Sequence, residues 1–485
     1  MASSIIYSIG DSEFMALVLN GTAMIFGGEH SVLEASDFVT MLKIFMAIGT
    51  ISLVFSAIMK ASGGVEYQKV FIGFVLFSIL FIPKQDVVIE DVYTGNVRTV
   101  ANVPWGIAMS GSAISSVGAK ITAYMDLAYS PVAPGSQTGS FLEPLQILNA
   151  VRRSANQPVL WKAIAKDSLA TSASSGGFVD VYTSWYNYIY NCSLFKVDQR
   201  IITPDDLQTL PWKDALRLDS AIVFTLIYDK PELSGGRTLS CKDAWEPLVN
   251  ITNANGTNVK NALNGILGIS DSATDNAITK LNSATNMALG GAITAQEYVI
   301  TSILEPVLAQ AAKGRLSTQL DTNAATMINT ALAQRDTQWA AEQTFFMAYM
   351  RPMIAFFESI VYALAPIMAC IILLGQLGIS VALKYFLLNL WVQLFLPLLA
   401  IINLYISVKA NNALALTGSS LGNSWTSFYA LNSASDQMQH WIAMGGGLAA
   451  ATPFIALALV MGAPAATMTA LSSRLAGSDQ INEKN

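Results

Sequence analysis

The chain has 485 residues, of which 53% are hydrophobic and only 12% charged, where roughly 25% charged is usual for a soluble protein. A formal net charge of -6, two histidines and three cysteines argue against a general nucleic-acid binder and against a His- or Cys-rich metal cluster. A mean hydropathy of +0.45 predicts long apolar spans beside a sizeable polar part, with ample apolar material to exclude a disordered chain.

Met1 to Asp37 contains no Lys or Arg and five acids, Asp11, Glu13, Glu29, Glu34 and Asp37. A cleavable signal opens with positive charge, so residues 1–37 are expected as an extramembrane segment. Phe38 to Met59 is a 22-residue apolar run broken by one charge, Lys43. That suffices for a hydrocarbon core of about 30 Å. Val70 to Ile82 has 13 residues and covers only about 20 Å as a helix. It needs Glu66 to Lys69 or local thinning to complete a crossing. Residues 38–82 are thus expected as two transmembrane helices. Lys60 and Lys69 place the loop between them on the cytoplasmic side and the N-terminus outside, by the positive-inside rule.

After Pro83 the period changes. Val87–Tyr93, then Thr94, Gly95 and Asn96, then Val97–Val103 read as a small β-hairpin. Trp105 to Leu127 is apolar at helical spacing, which completes a segment 83–130. Ile107, Ile114 and Ile121 recur every seven residues, with Val117 and Met125 on the same face. Gly106, Ser110, Gly111, Ser112, Ser115 and Ser116 keep the rest of the surface small. Two readings stand: a helix packing on its own domain, or an oligomer seam of Ile107, Gly111, Ile114, Val117, Ile121 and Met125.

A Pro/Gly/Ser linker, Ser130 to Ser140, opens an extramembrane domain expected over 131–345. Trp185, Tyr186, Tyr188 and Tyr190 offer an aromatic ligand wall or, more simply, core packing. Cys192 and Cys241 stand 49 residues apart in this segment, while Cys370 lies inside an apolar span. Two cysteines in an oxidising compartment and a third in lipid fit one disulfide and one inert thiol; two unrelated free thiols are the alternative. The bridge would contribute roughly 4 kcal/mol by loop entropy. From about Leu316 to Arg351 no Pro or Gly interrupts the chain, which predicts a helix projecting from the bilayer and needing partners.

Three more spans are expected within 346–462: Ile354–Leu374, Leu383–Ile406 and Trp441–Met461. The last carries Gly445, Gly446, Gly447 and Ala449 to Ala451, small residues that let helices approach closely. Five spans would place 83–345 and 409–440 outside, the loop around Gln376 inside, and the tail 463–485 in the cytoplasm. Three charges lie in these spans: Lys43, Glu358 and Lys384. Ionisable groups at membrane depth cost about 2.5–3.5 kcal/mol by insertion scales. Lys43 and Lys384 are near enough to span ends to snorkel, whereas Glu358 would sit at the interface, face a lumen, or pair with Lys43. Asn389, Gln393 and Asn403 suggest inter-helix hydrogen bonding.

No GxxxxGK[ST], HExxH or CxxC is present. Glu143 and Glu246 sit in no context that would tune them as a general acid. No enzyme and no cofactor is expected.

Several motifs carry a family resemblance. Asn102, Val103, Pro104 and Gly106, within the run from Asn102 to Met109, look like the NVPxGLA signature of the N-terminal half of TraG-type conjugative transfer proteins. Tyr190-Asn191-Cys192 and Cys241-Lys242-Asp243-Ala244 resemble that family's paired cysteine motifs, and Glu358, Tyr362 and Pro366 its E…Y…P pattern. The resemblance spans roughly 35–475, in matching order. It implies an inner-membrane component of a conjugative type IV secretion system, a counterpart of the polytopic channel subunit of simpler systems, needed for pilus assembly and mating-pair stabilisation. By that analogy the partners are membrane lipid, further copies in a homo-oligomer (a pentamer), and other conjugation proteins. Sequence-specific nucleic-acid binding is not expected. Family members usually continue in a C-terminal domain linked to stabilisation and exclusion, which these 485 residues do not include. The expected fold class is a mainly α membrane protein with about five transmembrane helices and a mostly helical periplasmic domain containing a small β-hairpin. The rival reading is a small-solute or ion transporter using Glu358, Lys43 and Lys384.

Overall fold

The computed structural model describes residues 4–9, 11–27, 35–59, 67–92, 95–129, 142–155, 157–170, 179–230, 233, 235–252, 255–269, 276–318, 351–374, 376–420 and 425–462. The expected linker 130–140, almost all of the expected helix 316–351, Lys60 and the tail 463–485 lie outside the described residues.

The fold is mainly helical with a three-stranded sheet of order β1-β2-β3. The expected hairpin is present: β2 (Lys84–Asp91) pairs antiparallel with β3 (Val97–Pro104). A third strand joins it, β1 (Ser4–Ser8), parallel to β2 with Ser4 opposite Val87 and Ser8 opposite Asp91. Helix α1 (Ser12–Ile25), capped by the Asp11 carboxylate at the Phe14 N–H, packs on this sheet through Met15, Leu19 and Ala23.

Helices form at the first two expected spans, α2 (Ala35–Met59) and α3 (Tyr67–Phe81). Their clearly apolar stretches among the described residues, Thr40–Ser52 and Phe71–Phe81, are shorter than the roughly 20 residues a crossing needs. Three helices reach that length and composition: Met353–Ile372, Gly378–Gly418 and Phe428–Val460. Five is therefore not reached among the described residues, and the chain is a membrane protein on these three.

Proline shapes this body. A proline has no N–H for the carbonyl four residues back, and the chain breaks accordingly. Pro366 separates α15 (Arg351–Ala363) from α16 (Ala365–Ile372), and Pro397 separates α17 (Gln376–Gln393) from α18 (Phe395–Ser420). These labels follow α4 (Trp105–Tyr129) and the ten helices α5 (Glu143–Ser154), α6 (Pro158–Ala170), α7 (Val181–Tyr188), α8 (Leu194–Asp198), α9 (Pro204–Thr209), α10 (Trp212–Leu216), α11 (Cys241–Ile251), α12 (Thr257–Leu267), α13 (Ala277–Leu289) and α14 (Ala295–Thr318). The last helix is α19 (Phe428–Met461).

The 41-residue stretch Gly378–Gly418 is about 60 Å long, twice a hydrocarbon core. Its far end and the start of α19 pack with the helices between Glu143 and Thr318. Ile402, Ile406, Ala410, Leu414, Phe428, Leu431 and Met438 share one core with α5 to α14. The domain expected over 131–345 thus draws on residues from Ile402 to Ile442, which include part of the segment expected outside over 409–440. Small and apolar residues on one face of each helix let the α18–α19 pair serve as the domain's own backbone. Arg152 of α5 clamps it, with an ion pair to Glu305 of α14 (2.6 Å) and a hydrogen bond to Asn432 of α19. Strands β4 (Phe224–Ile227) and β5 (Arg237–Ser240) form a second, antiparallel pair within this domain.

Candidate functional site

The buried polar centre of the membrane body is Glu358, 1% exposed. Its carboxylate accepts the Ile9 N–H at 2.8 Å and the Ser8 hydroxyl at 3.4 Å through one oxygen, and the Gln393 amide at 3.2 Å through the other. Alternate residues of a strand direct their N–H groups to the same edge, so Tyr7 joins the pattern. Its N–H is taken by the Ser115 hydroxyl of α4 at 3.1 Å. The free edge of β1 is thus closed by side chains from α4 and α15 instead of another strand, which removes an exposed pairing edge.

Carbonyls at the proline breaks are answered nearby. Tyr385 of α17 donates to the Val361 carbonyl at 2.7 Å. Thr22 of α1 reaches the Tyr362 carbonyl at 3.4 Å while donating to Val18 at 2.9 Å. Tyr362 and Asn389 are buried beside them. The Gln393 carbonyl, which Pro397 cannot serve, faces Gly118 of α4, where a Cβ would stand 3.0 Å from it. In lipid an unanswered carbonyl finds no water.

Helix α4 meets this centre with its smallest residues. Gly106 lies against Leu80, Gly111 against Ile6 and Tyr362, and Ser115 and Thr122 continue the same buried face. The apolar stripe expected from the sequence is divided. Ile107 and Gly111 face the chain's own interior, so they are not available to a neighbouring copy. Ile114 and Met125 are half-buried, while Val117 (53%) and Ile121 (39%) are exposed. Met109, Tyr124 and Leu127 extend that outer surface. The buried face is the small one because only Gly and Ser permit backbone approach at these distances.

The three span charges do not converge. Lys43 and Lys384 are exposed, whereas Glu358 is enclosed by donors from its own chain. Glu358 is bonded to Ile9 and Gln393 of its own chain and not to Lys43. The backbone N–H of Ile9 satisfies the carboxylate, and no residue type announces a backbone partner in a sequence. Gln393 and Asn403 do bond across elements, Asn403 accepting the Leu142 N–H at 3.0 Å.

The motifs resolve into structural devices. Asn102 takes a left-handed conformation (φ 60°) at the bulge where Gln85 pairs with Val103 and Val87 with Val100. Val103 and Pro104 are buried, and the Trp105 N–H then closes on the Pro83 carbonyl at 2.8 Å. Gly106 allows α4 to begin against Leu80. Cys192, in a π-helical turn Ile189–Ser193, is bonded to Cys241 at the first turn of α11, with Cα atoms 5.8 Å apart. Asp243 of the CKDA run gives its N–H to the Ser240 cap at 3.1 Å. Cys370 is a buried thiol.

Trp185 and Tyr188 are fully buried and meet Trp212 and Trp245 at centroid separations of 5.5–6.1 Å, a core cluster and not a ligand wall. Tyr186 and Tyr190, on the other side of the helix, stack at 6.1 Å. Burial pushes the Tyr188 phenol up to about 12, and it accepts the Leu218 N–H at 3.1 Å. Burial also pushes Tyr298 up, and its hydroxyl donates to the Leu148 carbonyl at 2.9 Å. Among the described residues no group of His, Cys, Asp or Glu is arranged to hold a metal ion.

Ser8, Ile9, Thr22, Ser115 and Tyr385 were not singled out as partners from the sequence. The available signal was Pro366 and Pro397 inside apolar helices, since each announces an open carbonyl needing an answer.

A family model described as TraG-like protein, N-terminal region, matches residues 6–483. No match is found among curated proteins or solved structures.

Proposed function

As the chain belongs to the TraG-like N-terminal family, we propose that it is a non-enzymatic, oligomeric component of a conjugative type IV secretion apparatus. It would sit in the bacterial inner membrane as a channel or platform for pilus assembly and mating-pair formation. Membership of the family makes it a conjugation-related transfer protein; the platform role is our reading. The observation that carries it is the outer face of α4. Val117, Ile121, Tyr124 and Leu127 are exposed on a helix whose opposite face is locked into the membrane body, as a subunit seam requires. The disulfide in the domain suits an oxidising compartment, so we place the N-terminus and that domain in the periplasm and the C-terminus in the cytoplasm. By family analogy the ring is a pentamer, with pilus and other conjugation proteins as partners and no sequence-specific nucleic-acid recognition.

Particle symmetry and mass of the detergent-purified protein test this directly. A closed ring that the double substitution Val117→Asp and Ile121→Asp disperses, with Gly111→Trp instead loosening β1 inside each subunit, is the expected outcome. A monomer or two-fold dimer would overturn the channel reading. Unchanged DNA transfer after deletion of the gene in a mating assay would sink the conjugation role.

A further inference from the structure

Between α2 and α3, beside the end of α1, lies a cavity of about 410 Å³, within the roughly 300–1,000 Å³ of small-molecule pockets. Its wall is aromatic. Phe26 meets Phe38 edge-on at 5.1 Å and stacks on Phe81 at 5.3 Å, and Phe81 stacks on Phe77 at 5.5 Å. Against these rings stand two cations, Lys43 and Lys84, and among the described residues no carboxylate lines the cavity. Lys84 donates one N–H to the Gly27 carbonyl, which fixes its ammonium group and leaves two donors. Lys43 has no hydrogen bond or ion pair among the described residues.

We propose that this is a binding site for an anionic phospholipid, with acyl chain among the phenylalanines and phosphate met by Lys43 and Lys84. Two features select that occupant. The walls of the cavity continue as apolar surface, with Ile48, Ile51, Phe55, Phe71 and Ile79 exposed on α2 and α3, and in a bilayer acyl chains cover such a surface. Among the described residues the polar end is cationic, which matches a phosphate diester and gives a zwitterionic headgroup's own ammonium an unfavourable neighbour. Snorkelling alone explains one lysine on an apolar helix, but it calls for neither a cavity nor a second, anchored cation beside it. The proposal is independent of the conjugation role and needs only that the chain lies in a membrane.

The test is native mass spectrometry of the full-length, delipidated protein in neutral detergent, titrated with phosphatidylglycerol or phosphatidylcholine of identical acyl chains. A saturable adduct should form with phosphatidylglycerol at roughly tenfold lower concentration than with phosphatidylcholine. Equal adduct formation would overturn the proposal without any variant being needed. The Lys43→Gln, Lys84→Gln double variant should bring the two lipids to within about twofold, and an undiminished preference would reject these lysines as the headgroup site. Met46→Trp, which fills the cavity from its lining, should remove the saturable adduct for both lipids. Its persistence would place the lipid elsewhere. Unchanged helix content by circular dichroism separates loss of the site from loss of the fold in both variants.

Discussion

Around Trp185 the domain is held by large rings and a covalent bridge; around Glu358 the membrane body is held by glycines, hydroxyls and helices broken at proline. The contrast follows from the two solvents. In water, removing apolar surface stabilises by roughly 25 cal/mol per Å², so Trp185, Tyr188 and Trp212 contribute through area. Lipid tails are as apolar as leucine, so burial against them contributes little, and close approach with answered polar groups takes over. Gly106, Gly111 and Gly118 supply the approach, and Glu358, Gln393 and Tyr385 supply the answers. One chain therefore carries two kinds of core, and substitutions should separate them.

The largest effect is expected in the domain. Trp185→Ala removes a fully buried ring and its 2.7 Å hydrogen bond to Thr252, at a cost of about 3–5 kcal/mol. Hydrogen exchange should rise through α7 and α11 and stay unchanged at Tyr7 and Ile9. Replacing both Cys192 and Cys241 by Ser should act on the same amides, costing roughly 2–5 kcal/mol. If the β1 amides exchange faster in either variant, the two cores are one cooperative unit and the contrast fails.

The converse is Glu358→Ala, which strands the Ile9 N–H and the Gln393 amide and costs on the order of 3 kcal/mol. The readout is release of β1: faster exchange at Tyr7 and Ile9 and earlier proteolysis near the N-terminus, with the disulfide domain still protected. Tyr385→Phe sharpens the point, because it deletes only one oxygen and leaves the Val361 carbonyl unanswered, at about 1–2 kcal/mol. A neutral result there would mean that Val361 finds another donor.

What the sequence made legible falls along the same line. The hairpin at 84–104 was readable because β-branched runs flank a Gly-containing turn, and helix α4 because of its 3.6 period. Which of its faces lies inward was left open between two readings, since a heptad of isoleucines names the inner face only where apolar area drives packing. Here the inner face is Gly111, Ser115, Gly118 and Thr122. Strand β1 escaped notice because its partner lies some 80 residues away in a parallel register that no local turn encodes. Glu358 stood out as a charge in an apolar span, but its partner is a backbone N–H, to which every residue type contributes alike. The outer halves of α18 and α19 read as membrane or loop because a buried helix is apolar in either solvent; only the contacts of Leu414 and Met438 with the domain distinguish them.

The smallest predicted effect probes a third situation, a largely solvated helix start that neither solvent argument governs. Helix α9 begins with a capping box in which Thr203 accepts the Asp206 N–H at 3.1 Å and gives its own N–H to the Asp206 carboxylate at 2.9 Å. That backbone N–H, with the Thr203 hydroxyl second, holds the Asp206 carboxyl below the usual carboxylate range. A carboxyl lowered in the folded state contributes stability that is fully present above its unfolded value, about 3.9. The contribution is lost as pH falls from there through the lowered native value. Exchange protection in α9 should therefore decline on acidification through that window while α7 and β1 hold, and Asp206→Asn should flatten the decline. Were α9 to keep its protection in acid, the box would be ornamental, and the helix would be held by Leu207, buried at 8% exposure, as the rest of the domain is held by its core.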